Sequence, residues 1–128
     1  MMEKYKFVRE YNFRTSPKVI YPYISNPGGL QQWFAQTVNL NADNIFAFDF
    51  GDKIQRAQLS NKKLNKSVKF DFIEGESKGN YLEFKLENSN LDSTCYLYIT
   101  DYSPAADEDD LVDMWDGLID DLKDIIGG

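Results

Sequence analysis

Residues 111–126 read LVDMWDGLIDDLKDII, and the spacing within this stretch decides how the rest of the chain folds. On a helical wheel Leu111, Val112, Trp115, Leu118, Ile119, Leu122, Ile125 and Ile126 form one broad apolar face. Asp113, Asp116, Asp120 and Asp124 take the opposite face. The acids at 107–110 sit where a helix N-terminus favours negative charge, and Gly127 is a natural stop. A helix of roughly 19 residues would be about 28 Å long. Such a helix must bury its apolar face against something of matching length.

That partner lies upstream. Between residues 37 and 102 apolar residues recur at every second position: Phe46, Phe48 and Phe50; Val68, Phe70 and Phe72; Leu82, Phe84 and Leu86; Cys95, Leu97 and Ile99. This period is that of strands with one buried face. KIQRAQL, residues 53–59, is a further strand of ambiguous face. Polar turns such as NADN and EGESKGN separate these runs, which argues for an antiparallel meander. At the start, Tyr5, Phe7, Arg9, Tyr11 and Phe13 share one face of another strand, with a single charge among aromatics.

Between the first strand and the meander lies SPKVIYPYISNPGGLQQWF, residues 16–34. Ser16 suits an N-cap, and Pro17 the first helical turn. Pro22 falls inside the helix, predicting a kink or a short element. Asn26–Gly29 ends it, and a second short helix follows with Leu30, Trp33 and Phe34 on one face. Three readings of this twice-broken segment are open: a packed corner plugging one end of the sheet, a lid hinged at Pro22 and Gly28–Gly29, or a docking surface.

The totals narrow the function. The 128 residues are enough for one domain with a sizeable core. Mean hydropathy is -0.51, with no long apolar run for a spanning helix. The opening MMEKYKFVRE has no apolar leader core. A lone cysteine suits a reducing, cytoplasmic setting. The net charge of -7 is concentrated beyond residue 100, where Lys123 is the only base, and no basic stripe exists to follow a phosphate backbone. Nucleic acid is therefore not an expected partner. With no histidine there is no Ser-His-Asp triad, Cys-His pair or histidine-bearing zinc set, and no phosphate loop follows Pro27-Gly28-Gly29. No catalytic residue, metal ligand or cofactor site is assigned. The acidic run Asp107–Asp110 lacks the spaced ligands of a calcium loop and reads as a solvated helix end.

A strand, two short helices, an antiparallel meander and a long covering helix make an α+β helix grip of about six to seven strands. The residues that carry this order also resemble a known family. Ser16-Pro17 at the first helix, the block Asn26-Pro27 through Leu30 to Trp33-Phe34, and the spacing of Trp115, Ile119, Leu122 and Lys123 are similar to the START-like (SRPBCC) superfamily. Within it they resemble the branch of activator of heat shock protein 90 ATPase homologues. The resemblance implies an apolar cavity between sheet and long helix, in a group whose members bind lipids, sterols or polyketides, act as cyclases, or stimulate a chaperone.

Candidate ligand-cavity residues follow: Trp33, Phe34, Phe46, Phe48, Phe50, Phe70, Phe72, Phe84, Leu97, Trp115 and Ile119. The same aromatics could instead fill a dry core, since interiors are close-packed. Arg9 and Arg56 are the polar candidates, able to hold a carboxylate from within a pocket or to snorkel to water at a sheet edge. Cys95 reads as a small core residue. The expectation is a non-catalytic domain binding a small apolar or amphipathic ligand, lipid-like or polyketide-like. The alternatives are a protein-interaction module using Asp113, Asp116 and Asp120, and a cyclase in which Arg9 or Arg56 stabilises an enolate.

Overall fold

The computed structural model describes residues 5–75, 77–89, 94–103 and 108–127. Its elements run β1 (Tyr5–Phe13), α1 (Pro17–Ser25), α2 (Pro27–Gln31), β2 (Thr37–Leu40), β3 (Ile45–Asp49), β4 (Ile54–Lys63), β5 (Ser67–Phe72), β6 (Tyr81–Asn88), β7 (Cys95–Ser103) and α3 (Glu108–Ile126). The strands form one seven-stranded antiparallel sheet in the order β1-β7-β6-β5-β4-β3-β2. This is the α+β helix-grip arrangement, with α3 as its long C-terminal helix.

Register places the inward residues opposite one another: Phe46 faces Ala57, Ala57 faces Phe72, Phe70 faces Leu82, and Phe84 faces Ile99. All of these are buried, as are Leu111, Trp115, Ile119 and Leu122 of α3. Those four helical side chains recur at three- and four-residue spacing, so one stripe of α3 lies on the sheet. Burying each stabilises the fold by roughly 1.5–3 kcal/mol relative to exposure. The helix closes on Gly127, whose φ of 77° allows its N–H to return to the Lys123 carbonyl at 2.8 Å.

Two features depart from the sequence pattern. The four-residue edge strand β2 buries only Val38 and is too short to show a period. Strand β4 runs on beyond the KIQRAQL stretch through Ser60–Lys63. A bulge between Leu59 and Asn61 absorbs one residue there and bends the strand, as a sheet curling around a helix requires.

Helix α1 continues through Pro22 and ends three residues later, so the proline sits in a short helix. Helix α2 then starts at once, with Asn26 as its N-cap. A Cβ on Gly29 would meet the Pro22 carbonyl oxygen and lie 2.7 Å from Tyr23 Cα. Only glycine permits α2 to pack this tightly on the last turn of α1. The Trp33 indole N–H closes the corner by donating to the Tyr23 carbonyl at 2.8 Å.

Candidate ligand cavity

Helix α3 is fastened along one flank. Tyr11 of β1 donates its hydroxyl to Asp116 Oδ1 at 2.8 Å, and Arg9 Nε lies 3.5 Å from the same oxygen. Burial, reinforced by that carboxylate, pushes the Tyr11 phenol well above its ordinary range. One helical turn and more below, Lys123 Nζ sits 5.3 Å from the Phe13 ring centre. Phe7 stacks on Trp115 at 6.4 Å. These contacts draw the helix toward the β1 edge of the sheet.

The opposite flank is open. A cavity of about 940 Å³ lies between the first half of α3 and the strand ends beneath it. Leu111, Met114, Trp115 and Leu118 wall it from the helix. Phe34, Phe50, Ile54, Phe72 and Leu82 wall it from below. A smaller, more open hollow of about 510 Å³ lies further along the helix beside Asp121 and Ile125. Phe34 and Phe50, edge to face at 5.4 Å, belong to both and form the partition between them.

Among the described lining residues of the larger cavity, one carboxylate, that of Asp101, is withdrawn from full exposure. Asp101 continues the inward series Cys95, Leu97, Ile99 and is partly buried on the cavity wall. Its Oδ2 accepts the Trp115 indole N–H at 3.1 Å, and its Oδ1 accepts the Tyr102 backbone N–H at 2.8 Å. Burial pushes the carboxyl above its ordinary value, while those two bonds and the more distant Lys53 pull it back. Lys53, Glu74 and Asp110 add charge around the lining, and Gln55 is tied to Ser77 at 3.1 Å.

An apolar cavity between a curled antiparallel sheet and a long terminal helix agrees with the family model for a START-like superfamily domain, which matches residues 1–128. The chain belongs to that superfamily. Solved START-like structures share its architecture. It is similar to the Aha1 dimer from Colwellia psychrerythraea at 18% identity and a TM-score of 0.75, covering 95% of this chain and 96% of that one. It is similar to the protein BfR322 from Bacteroides fragilis at 30% identity and a TM-score of 0.65, covering 97% and 92%. A third likeness, at 12% identity and a TM-score of 0.67, is to DynU16 of the dynemicin biosynthetic locus; it covers 91% of this chain and 45% of that one. No protein of curated description matches the sequence.

Within this START-like frame the expected cavity residues divide. Phe34, Phe50, Phe72 and Trp115 line the larger cavity, and Trp33 lines the smaller hollow. Phe46, Phe48, Phe70, Phe84, Leu97 and Ile119 are instead packed into the core with at most 1% exposure. Phe46, Phe48 and Phe70 interlock at 4.9–5.9 Å, leaving no room between them for a ligand. They belong to the filled part of the grip.

The arginines follow the second of their two readings, with both head groups outside the cavity. Arg9 is exposed and paired to Asp116, and Arg56 lies on the outer face beside the buried, inward Ala57, paired to Glu74 at 2.8 Å. Neither guanidinium lines the cavity, so an enolate-stabilising role for them has no basis here. Along the acidic side of α3, Asp116 is engaged by Tyr11 and Arg9, while Asp113 and Asp120 are exposed. Asp107 lies outside the described residues; Glu108, Asp109 and Asp110 are exposed in the first turn of α3. Buried Cys95 has its thiol pushed up by desolvation, as suits an inert core position.

Asp101 is the residue that the sequence reading missed. Its signal was present, because one more step of two from Ile99 lands on it. Among the described residues no cluster of His, Cys, Asp and Glu could hold a metal ion. None of the described helices is long and apolar enough to cross a membrane.

Proposed function

We propose that residues 1–128 form a single, non-catalytic START-like domain that binds a small amphipathic molecule, lipid-like or polyketide-like, between the sheet and α3. The observation that carries this reading is the cavity of about 940 Å³, apolar on most sides, with the partly buried carboxylate of Asp101 on its wall. Its size is that of a site for a drug-sized molecule, and apolar walls with few fixed polar groups are the usual form of such sites. A reducing, cytoplasmic setting fits the buried free thiol of Cys95. Native mass spectrometry of freshly purified protein tests the binding reading. A stoichiometric mass excess that vanishes on denaturation is expected. A bare mass, together with no uptake of any added amphipath, overturns it.

A second reading, a protein-interaction module related to heat shock protein 90 ATPase activators, draws support from the exposed Asp113 and Asp120 on the outer side of α3. Complementary charge would steer a basic partner there. Reversal of both to lysine would weaken such a complex at least tenfold; an unchanged affinity removes this mechanism.

A further inference from the structure

The cavity's chemistry narrows the ligand class. We infer that it selects amphipathic molecules bearing a protonated amine over those bearing a carboxylate, with Asp101 receiving the ammonium. This inference rests on the ligand-binding reading above and adds the charge of the ligand's head group.

The apolar body of such a molecule has its place against Phe50, Ile54, Phe72, Leu82, Met114 and Leu118. Among the described residues three carboxylates, Glu74, Asp101 and Asp110, line the same cavity with one ammonium, Lys53. Glu74 is answered by Arg56 from outside. Asp101 is different, because it sits inside on the inward strand face. Two hydrogen bonds occupy it, whereas an ionised carboxylate offers about four lone-pair positions. Acceptor capacity therefore remains toward the open volume.

Burial disfavours the bare anion there, and Lys53 is its weakest stabilising influence. A cationic head entering the cavity would supply the missing counter-charge where water is partly excluded and charge pairs are strengthened. The rings of Trp115, Phe34, Phe50 and Phe72 line the same volume, and aromatic rings attract a cation while being indifferent or hostile to an anion. A carboxylate ligand would have to approach Asp101 and Asp110 and, among the described lining residues, would find one ammonium, that of exposed Lys53. Charge, desolvation and aromatic lining thus agree on one sign.

The test uses the full chain at neutral pH with three probes of equal tail length, dodecylammonium, dodecanol and dodecanoate, the two charged probes below their micelle concentrations and dodecanol below its aqueous solubility. Binding is followed by titration calorimetry and by the fluorescence of Trp115 and Trp33. Dodecylammonium is expected to bind at least tenfold tighter than dodecanoate, with dodecanol between them. Asp101→Asn should reduce the ammonium-to-alcohol affinity ratio at least fivefold. The double variant Glu10→Gln, Glu87→Gln removes two negative charges from the outer sheet face, and its ratio should match the wild type. An ammonium preference that follows net charge in this control overturns the assignment to Asp101. If dodecanol binds and the three head groups do not differ, or dodecanoate is preferred, the amine inference falls while the cavity reading stands. If none of the three binds, both fall.

Discussion

Along its β1 flank α3 is held by Tyr11, Arg9 and Phe13, whereas along the other flank Met114, Leu118 and Ile125 border open volume. Both flanks face the same sheet, and both have aromatic rings within reach. What separates them is where the polar anchors sit. Asp116 points toward β1 and finds a hydroxyl and a guanidinium, so the helix is drawn to that edge. On the far side Met114 stays 46% exposed beside the cavity. A cavity in this fold is thus a consequence of anchoring a helix off-centre over a curved sheet.

The largest disturbance of that arrangement is expected from Trp115→Ala. The indole touches Phe7, Trp33, Phe34 and Phe84 and donates to Asp101, so it links the closed flank to the cavity wall. Its removal should cost about 4 kcal/mol. Equilibrium urea unfolding measures this; a loss below about 1 kcal/mol would show that α3 does not depend on its central anchor.

Gly29→Ala comes next, at roughly 2 kcal/mol, because the added methyl meets the backbone of Pro22 and Tyr23. The same variant displaces the wall that carries Phe34. Gly28→Ala, with open space around its Cβ position, should by comparison leave stability within about 0.5 kcal/mol of wild type. Equal effects at the two glycines would remove the tight corner from the account.

Tyr11→Phe tests the closed flank alone and should cost about 1 kcal/mol near neutral pH. Its pH dependence carries a sign. The folded chain holds the Tyr11 proton more tightly than the unfolded chain does, so this contribution is complete below about pH 10 and is lost as pH rises above it. Tyr21, Tyr98 and Tyr102 are shifted the same way. Alkaline destabilisation should therefore become shallower in Tyr11→Phe without disappearing, as read from thermal melts between pH 8 and about pH 11. An unchanged slope would dissociate the phenol from the helix anchor.

The smallest expected effect on stability belongs to the open flank. Met114→Ala should change unfolding free energy by less than about 0.5 kcal/mol, as for an exposed side chain, yet weaken dodecanol binding at least threefold. A large loss of stability with unchanged binding would reverse the roles assigned to the two flanks.

Much of the fold was legible before any coordinates. The two-residue alternation of Phe46 and Phe48, of Val68, Phe70 and Phe72, and of Leu82, Phe84 and Leu86 named the buried face of three strands. The stripe Leu111, Trp115, Ile119 and Leu122 named the helix that covers them. The site was less legible. Ending the last inward series at Ile99 left out Asp101, and the aromatic face of β1 left open an inward Arg9 that in fact reaches out to Asp116. Pattern assigns a side chain to a face, but whether it meets a ligand, a ring or water depends on what lies across from it.

That distinction divides what each level determined. Periodicity, the glycine corner and the Gly127 stop are local properties, written in residues a few positions apart, and the sequence by itself determined them. The closed and open flanks of α3, the division of the phenylalanines into filler and lining, and the counterparts of Arg9, Arg56 and Asp101 were decided only by the tertiary structure. They depend on contacts such as Tyr11 with Asp116, 105 residues apart, and on how far a helix lies from each strand of a curved sheet. Distance between surfaces has no period, and so no local pattern carries it.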